Sequence, residues 1–567
     1  MSRKTHFIET YVYDLLENPR KKILVFLVMF AILFSSILLV ATEIVQVKLL
    51  PKPLADNFTI YVDLPEGKSV YETKEVTSCI LDVLKNEEII TDMSVFYGES
   101  GPVDFSGMIK GRLFDKGENV ANILVNLKRE HERDETSIHA VHRLRTILKE
   151  KCQMHENKIK MVESPAGPPN VASLVLEVTG GESYEKRLKL AKELDTLFRQ
   201  RERLADFDIL SDEPYTKYAI VLDEHKIVQS GLQTDQVKKI LYVAFKGMEI
   251  AYENDVGAQN QIPIYLTLDR SSKHIKTPSR AQLETKLSSL MLLNAKGLTV
   301  PVSELVAVKE QKSSSRIISK NLSEMIAVVA ETDMESQIYA LLDIRESIQT
   351  HLADRYDIGK DGLLDLILKE KNSGETYLLH WAGEQKVSMD TVTDLGMALG
   401  VAIVLIFFMM VVYYENFALA GAVVLASFIS VAGVIYAHLI FDLFTPTTFY
   451  MTGTSLIGFI ALIGINSRNS LLIIDFAKQL ISEKHMEPRR AIAVAIQTRA
   501  KPILLTVLAI IFASMLLATD PVFGGLGIAL IGGTLAAYVV SLFIVPIIIY
   551  KPLLKQYPTK GEVYEGK

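Results

Sequence analysis

The sequence predicts an α+β membrane protein: six transmembrane helices and a large external region of α/β-sandwich subdomains interrupted by an inserted module. Three observations carry that reading. A hydrophobic fraction of 49% and a mean hydropathy of +0.22 over 567 residues exceed what one soluble core needs. Charged residues still make up 23%, so the apolar surplus is gathered into segments with water-soluble chain between them. Those segments fall unevenly, one near the start and five crowded toward the end.

A span needs roughly 20 apolar residues to cross about 30 Å of hydrocarbon. The first is Ile23–Ala41, which follows a charged leader (residues 1–22), has no small-residue cleavage site and reads as a retained anchor over 23–43. The others are Val392–Tyr413, Ala418–Phe441, Phe449–Ile481, Pro502–Ala518 and Leu526–Tyr550, within 391–551. Lys and Arg set the orientation. Arg3, Lys4, Arg20, Lys21 and Lys22 in the leader, Lys484, Arg489, Arg490, Arg499 and Lys501 before the fifth span, and Lys551 and Lys555 belong inside. The alternate loops, HLIFDLFTPTT and ATDPVFGG, carry no Lys or Arg. Both termini, including the tail 552–567, are therefore expected in the cytoplasm.

Between Val47 and Asp390, short β-type runs alternate with amphipathic helical stretches. One unit runs from NFTIYVDLP through helices over Ser69–Lys85 and Thr136–Cys152; a second follows SPAGPPN with SLVLEVTG, a helix over Ser183–Arg203 and KYAIVLDEHKI. The repeat suggests two related sheets. A turn-rich stretch over 223–330, with the Gly-turned hairpin NAKGLTVPVSEL, interrupts the second unit, which resumes over 331–390. The net charge of −6 gives no footprint for nucleic acid. Cys79 and Cys152 are too few for a disulfide framework and have no metal-ligand spacing, and no catalytic or cofactor motif is present.

The chemistry lies in FYMTGTSLIGFIALIGINSRNSLLIIDFAKQLI, where Arg468 sits near mid-span among Asn466, Ser467, Asn469 and Ser470. A charge there costs at least about 2.5–3.5 kcal/mol and marks a functional site by default. The alternative, a loop between two shorter helices, leaves Leu471–Ile474 too short to span. Arg499 and Thr506 share one helical face of the fifth segment; the hydroxyls of Thr534, Tyr538 and Ser541 read more simply as helix contacts. No span carries a central Asp or Glu, and Asp475 lies about 10 Å beyond Arg468. Arginine cannot be deprotonated in a protein, so Arg468 can serve only as a fixed counter-charge. If protons drive this protein, the titrating carboxylates must come from another chain.

On these residues the sequence resembles the C-terminal half of a resistance-nodulation-division (RND) efflux pump inner-membrane subunit of the hydrophobe/amphiphile-like branch. The matching stretches are FTIYVDLPEGKSVYETKEV, KYAIVLDEHKIVQSGLQTDQV, NAKGLTVPVSEL, HWAGE, YYENFALAG and GINSRNSLLIIDFA followed by RAKPILLT. The resemblance implies two porter subdomains within 44–222, the second resuming over 331–390 after a docking subdomain (223–330). It implies a proton relay to which Arg468, Asn469, Arg499 and Thr506 belong, with Arg468 where the family usually has lysine. VFYGESGPVDF would line the substrate path, offering Phe96, Tyr97 and Phe105. The implied partners are an N-terminal-half RND polypeptide with an aspartate pair, a periplasmic adaptor, an outer-membrane channel and membrane lipid, in a trimeric assembly of the bacterial inner membrane. No cofactor or metal is implied, and the activity is proton antiport rather than enzymatic. Two other readings remain open, a Sec-accessory-like translocation motor and a split-gene fragment acting as a scaffold.

Overall fold

The computed structural model describes residues 7–49, 55–102, 105–163, 170–211, 215–273, 275, 279–313, 316–445, 448–520 and 522–557. It divides into two compact units, Ser211–Ile317 and the remainder of the chain.

The larger unit opens with α1 (Phe7–Glu17) and α2 (Pro19–Ala41), separated by Asn18, whose side chain caps α2 by accepting from Arg20 N–H. The first external subdomain follows: β1 (Asn57–Asp63), α3 (Val70–Leu84), β2 (Ile90–Glu99), β3 (Lys116–Leu127), α4 (Ser137–Lys151) and β4 (Lys158–Glu163). Its antiparallel sheet has the order β2-β3-β1-β4. Alternation puts Ile60, Val62, Ile123 and Val125 on the face covered by Val76 and Ile80 of α3 and Leu144 and Leu148 of α4. Cys79 and Cys152 form a disulfide that ties α3 to the end of α4.

The second subdomain repeats this β-α-β-β-α-β plan. β5 (Leu174–Gly180), α5 (Tyr184–Arg199), β6 (Leu204–Leu210), β7 (Ser323–Thr332), α6 (Gln337–His351), β8 (Tyr356–Asp361), β9 (Asp365–Glu370) and β10 (Thr376–Ala382) make a sheet ordered β6-β7-β5-β10-β9-β8. Its first four strands reproduce the order of the first sheet, and Trp381 stacks on Phe198 of α5 in the core.

The smaller unit is inserted between β6 and β7. It starts and ends earlier than the 223–330 the sequence suggests, for a pairing reason. Thr216–Leu222 zips antiparallel to Val306–Lys312 inside this unit, whereas Ser323–Thr332 is a central strand of the second sheet. The NAKGLTVPVSEL hairpin forms as expected, with Asn294 Oδ1 accepting from Lys296 and Leu298 N–H and Gly297 at φ +77°.

The remaining helices are α7 (Glu384–Tyr414), α8 (Phe417–Ile429), α9 (Val431–Asp442), α10 (Gly453–Ser482), α11 (Pro488–Ala518), α12 (Gly524–Phe543) and α13 (Val545–Gln556). With α2, six helical stretches among the described residues are long and apolar enough to cross a membrane. Several boundaries differ from the sequence reading. The second span starts at Glu384 rather than Val392, the third breaks at Ser430, the fourth starts at Gly453 rather than Phe449, the fifth starts at Pro488 rather than Pro502, and the last breaks at Ile544 before Pro546. Ala491, Ile492, Ala495 and Ile496 present a buried apolar face that carries α11 past its charges, so Arg499 and Lys501 are helical rather than in a loop. At the crossing of α9 and α12, a Cβ on Gly433 would stand 2.6 Å from the Gly532 carbonyl oxygen, so only glycine permits that approach.

Reduction of the Cys79–Cys152 bond, which closes a loop of sequence separation 73, is expected to destabilise the first subdomain by up to about 4 kcal/mol. Melting curves of the purified chain with and without reductant test this; coincident curves would contradict it.

Candidate functional site

Helix α10 is continuous through GINSRNS, so the polar patch is helix and not loop. Its faces are sharply divided. Asn466, Ser467, Asn469 and Ser470 are buried in the bundle, whereas Ile457, Ala461, Gly464, Arg468 and Leu472 form an uncovered stripe at i, i+3/i+4 spacing. Arg468 stands at the midpoint of α10 and makes no hydrogen bond or ion pair among the described residues. A Cβ on Gly464, one turn before it, would meet nothing within 4 Å.

Two neighbouring helices border this stripe. Tyr413 at the end of α7 donates to Asp475 Oδ2 (2.8 Å), one position further along the same face of α10. On the other side, the Arg499 guanidinium of α11 lies 4.9 Å from the centroid of Phe476, and its Nε is buried without a partner. Phe476 follows Arg468 by about 12 Å along α10, and the antiparallel α11 climbs about 10 Å from Arg499 to Thr506. Thr506 therefore stands close to the level of Arg468; its hydroxyl donates to the Pro502 carbonyl (3.2 Å). Arg468 is thus exposed and Asn469 buried on α10, Arg499 packs on Phe476, and among the described residues no direct contact joins Arg468, Arg499 and Thr506.

Inward of Arg468, both amide atoms of Asn466 and the hydroxyls of Ser467 and Ser470 are buried with no hydrogen-bond partner. Thr534 and Ser541 instead bond back to carbonyls of their own helix, as ordinary helix-packing hydroxyls do. One titratable group escapes sequence reasoning: His438 is fully buried in α9, with Nδ1 bonded to the Val434 carbonyl and Nε2 to Ser455 Oγ of α10. The sequence places His438 near the end of the third span but gives no signal of its bond to Ser455, a partner on another helix.

The outer end of α10 is tied to the second external subdomain by a short strap, residues 45–49. Met451 N–H donates to the Gln46 carbonyl, Lys48 N–H to that of Met451 and Gly453 N–H to that of Leu49 (2.9–3.1 Å). On its other edge, the Val47 carbonyl accepts from Ser336 Oγ (2.6 Å), and Lys48 Nζ reaches the Glu335 carbonyl (3.3 Å). Gln337 then bonds Glu384 and Ser388 of α7. Helix α10, helix α7 and the start of α6 therefore share one hydrogen-bonded junction.

The two external subdomains meet through ions of opposite sign. The first supplies Lys110, Arg145, Lys158 and Lys160; the second supplies Glu331, Asp206, Asp333 and Asp208, paired at 2.5–3.1 Å. Lys160 also pairs with Asp63, which holds Arg112 bidentately (2.7 and 2.8 Å). Burial pushes the Asp63 carboxyl up, but Lys160 and Arg112 outweigh it and hold it well below the usual range. Asp208 is likewise lowered, by Lys160 and Lys158 against its burial. Asp206, fully enclosed, is raised by burial despite Arg145. Of the expected path residues, Tyr97 points into the first core, accepting from Thr77 Oγ1 (2.9 Å), while Phe96 on the opposite face covers Gly101. The side chain of Phe105 lies outside the described residues. The ion pairs between the subdomains join residues distant in sequence and have no local signal.

Comparison with known proteins places this arrangement. The profile of the AcrB/AcrD/AcrF family matches residues 2–551. The multidrug export protein AcrF of Escherichia coli (strain K12) is 22% identical over 522 residues, covering 88% of this chain and 45% of that protein. The crystal structure of a heavy metal efflux pump superposes with a TM-score of 0.68 at 13% identity, covering 97% of this chain and 52% of that one. The chain spans about half the length of the relatives it matches.

Substitution Asp208→Asn, which strips Lys158 and Lys160 of their shared carboxylate, is expected to loosen the two subdomains, read as faster amide exchange in β4 and β6. The depressed carboxyls Asp63 and Asp208 fix a sign for pH. Their contribution is complete above their ordinary value near pH 4 and is lost as pH falls through their depressed values. Loss of the Asp63 and Asp208 pairs should therefore not loosen wild-type exchange, corrected for intrinsic rates, between pH 7 and pH 5; loosening within that window would contradict the assignment.

Proposed function

The chain belongs to the AcrB/AcrD/AcrF family, and on that premise we propose that it is half of a proton-driven efflux transporter. It would work with a separate chain that supplies the second set of membrane helices. The observation that supports this most is the position of Arg468. Lipid tolerates the apolar stripe of α10 but not a guanidinium at its centre, at a cost of about 2.5–3.5 kcal/mol or more. A protein face bearing carboxylates relieves that cost, and the open space at Gly464 admits a closely packed helix.

The mechanism follows from fixed and movable charges. Arg468 keeps its proton, so the carboxylates of the partner chain carry the transported one. While they are ionised they hold Arg468 and α10 against the partner. Protonation removes their charge, weakens the pairing and frees α10 to shift. The strap at 45–49 carries that shift to the start of α6, because its carbonyls and amides are committed on both edges. The external subdomains answer at their ionic interface, which can part and reclose at lower cost than an apolar core. Phe96 and the segment after it would border the path that opens. Arg499 and Thr506 would flank the relay, and Asn466, Ser467, Asn469 and Ser470 would form its polar lining.

By the same reading the substrates are amphiphilic small molecules, and the inserted unit Ser211–Ile317 meets an outer-membrane channel with the help of a periplasmic adaptor, in a trimer. The chain would lie in a bacterial inner membrane with both termini cytoplasmic. The Cys79–Cys152 disulfide supports an oxidising, external compartment for the first subdomain. A translocation motor is not favoured by the family match.

Substitution Arg468→Ala is expected to abolish export while leaving the folded chain at wild-type abundance. Arg468→Lys should retain much of the activity, since it keeps the charge. Undiminished export by Arg468→Ala would refute the proposal.

A further inference from the structure

At the end of the bundle that holds the N-terminus, three cations converge from three separate helices. Lys22 lies in the first turn of α2, Arg489 is the second residue of α11, and Lys551 lies in α13. Lys22 Nζ stands 5.1 Å and the Arg489 guanidinium 5.7 Å from the centroid of the same ring, Tyr550. Arg489 also donates to the Tyr550 hydroxyl (3.1 Å) and lies 6.0 Å from the ring of Tyr13 in α1. Lys551 follows Tyr550 directly in α13.

Nothing on the described chain neutralises this cluster. Among the described residues no carboxylate oxygen lies within 4 Å of any of the three cations; the nearest acidic group in sequence to Arg489 is the exposed Glu487. Arg489 Nε is buried with no hydrogen-bond partner. The local backbone adds to the positive potential. α2 and α11 both bring their N-termini here without an acidic residue in the first turn, and the exposed Glu487 at the N-cap of α11 makes no capping bond. Helix N-termini carry roughly half a positive charge and favour anions; here two of them carry cations instead. The cluster is therefore an anion site by charge, by helix polarity and by an unused donor.

Its depth identifies the anion. Lys22 immediately precedes the apolar run Ile23–Ala41, so it sits where hydrocarbon gives way to headgroups. α11 is 31 residues long, about 46 Å, and its first turns must extend beyond a hydrocarbon layer of about 30 Å. Tyr13 and Tyr550 occupy the same level, as interfacial aromatics do. α1 lies across these helix ends, burying Val12, Leu15 and Leu16 in the bundle and leaving Phe7 and Tyr11 exposed. We propose that Lys22, Arg489 and Lys551 bind the phosphate of an anionic phospholipid headgroup, whose acyl chains run down the exposed flank of α2. This needs only that the apolar helices cross a membrane, and holds whether or not the protein exports anything.

The test uses the full chain in mild detergent, with native mass spectrometry and thermal shift on addition of dioleoylphosphatidylglycerol, dioleoylphosphatidylcholine or inorganic phosphate. Phosphatidylglycerol should bind in preference to phosphatidylcholine. Each cation near an anionic headgroup contributes about fivefold, so the triple variant Lys22→Gln/Arg489→Gln/Lys551→Gln should lose roughly 100-fold in affinity. The single Lys551→Gln, at an exposed position, should lose about fivefold without threatening the fold. The charge-preserving Lys22→Arg/Lys551→Arg should bind as wild type. Equal binding of the two lipids, or unchanged phosphatidylglycerol binding by Lys551→Gln and the triple variant, would overturn the proposal. Binding of inorganic phosphate but not of phosphatidylglycerol, with the same dependence on these residues, would overturn the lipid assignment.

Discussion

A guanidinium that cannot lose its proton, placed midway along an uncovered face of a membrane helix, constrains everything around it. The stripe of Ile457, Ala461, Gly464 and Leu472 is apolar or small enough to face lipid or another helix; Arg468 in its centre distinguishes the two, because only a protein face can offer it a carboxylate in a dry medium. The rest of α10 is arranged to keep that face in place. Gly458 packs against Ala529 and Leu462 against Gly533 of the parallel helix α12, and the buried side of the helix carries the polar groups that lipid would reject.

The same helix reaches outward. Three backbone hydrogen bonds join Met451, just before α10, and Gly453 at its start to residues 45–49, and the second subdomain takes up the other edge of that strap through Glu335 and Ser336. A movement in the membrane therefore has a stiff, short route to the external sheets. There the contact between subdomains is built from lysines and arginines on one side and carboxylates on the other, a kind of interface that can separate without exposing an apolar core. On the proposed reading, rigid cores on either side of an ionic seam, coupled to one helix by a strap, would act as a lever whose input is a charge brought opposite Arg468 by the second chain.

Much of this was legible in the chain. The spans, the paired sheets, the insertion in the second of them and the exceptional Arg468 all follow from hydropathy, alternation and one misplaced charge. Segment ends were read less well wherever a helix ran past a conventional stop. α11 begins before Pro502, because its earlier residues keep an apolar face toward the bundle. The insertion was placed late because strand propensity does not reveal partners, and Thr216–Leu222 pairs with a strand far along the chain. Long-range ion pairs such as Lys160–Asp208, the two-faced division of Asn466 and Arg468, and the placing of Tyr97 in a core are tertiary facts with no local signal.

The central claim is that a second chain covers Arg468. Affinity purification of this protein from native membranes in mild detergent, followed by intact-mass and stoichiometric analysis, tests it most directly. The expected result is an equal number of a second polypeptide with several spans and intramembrane carboxylates, cross-linked to this chain through a cysteine placed at Gly464. Recovery of this chain alone, or only with copies of itself, would leave Arg468 without a counter-charge and contradict the claim.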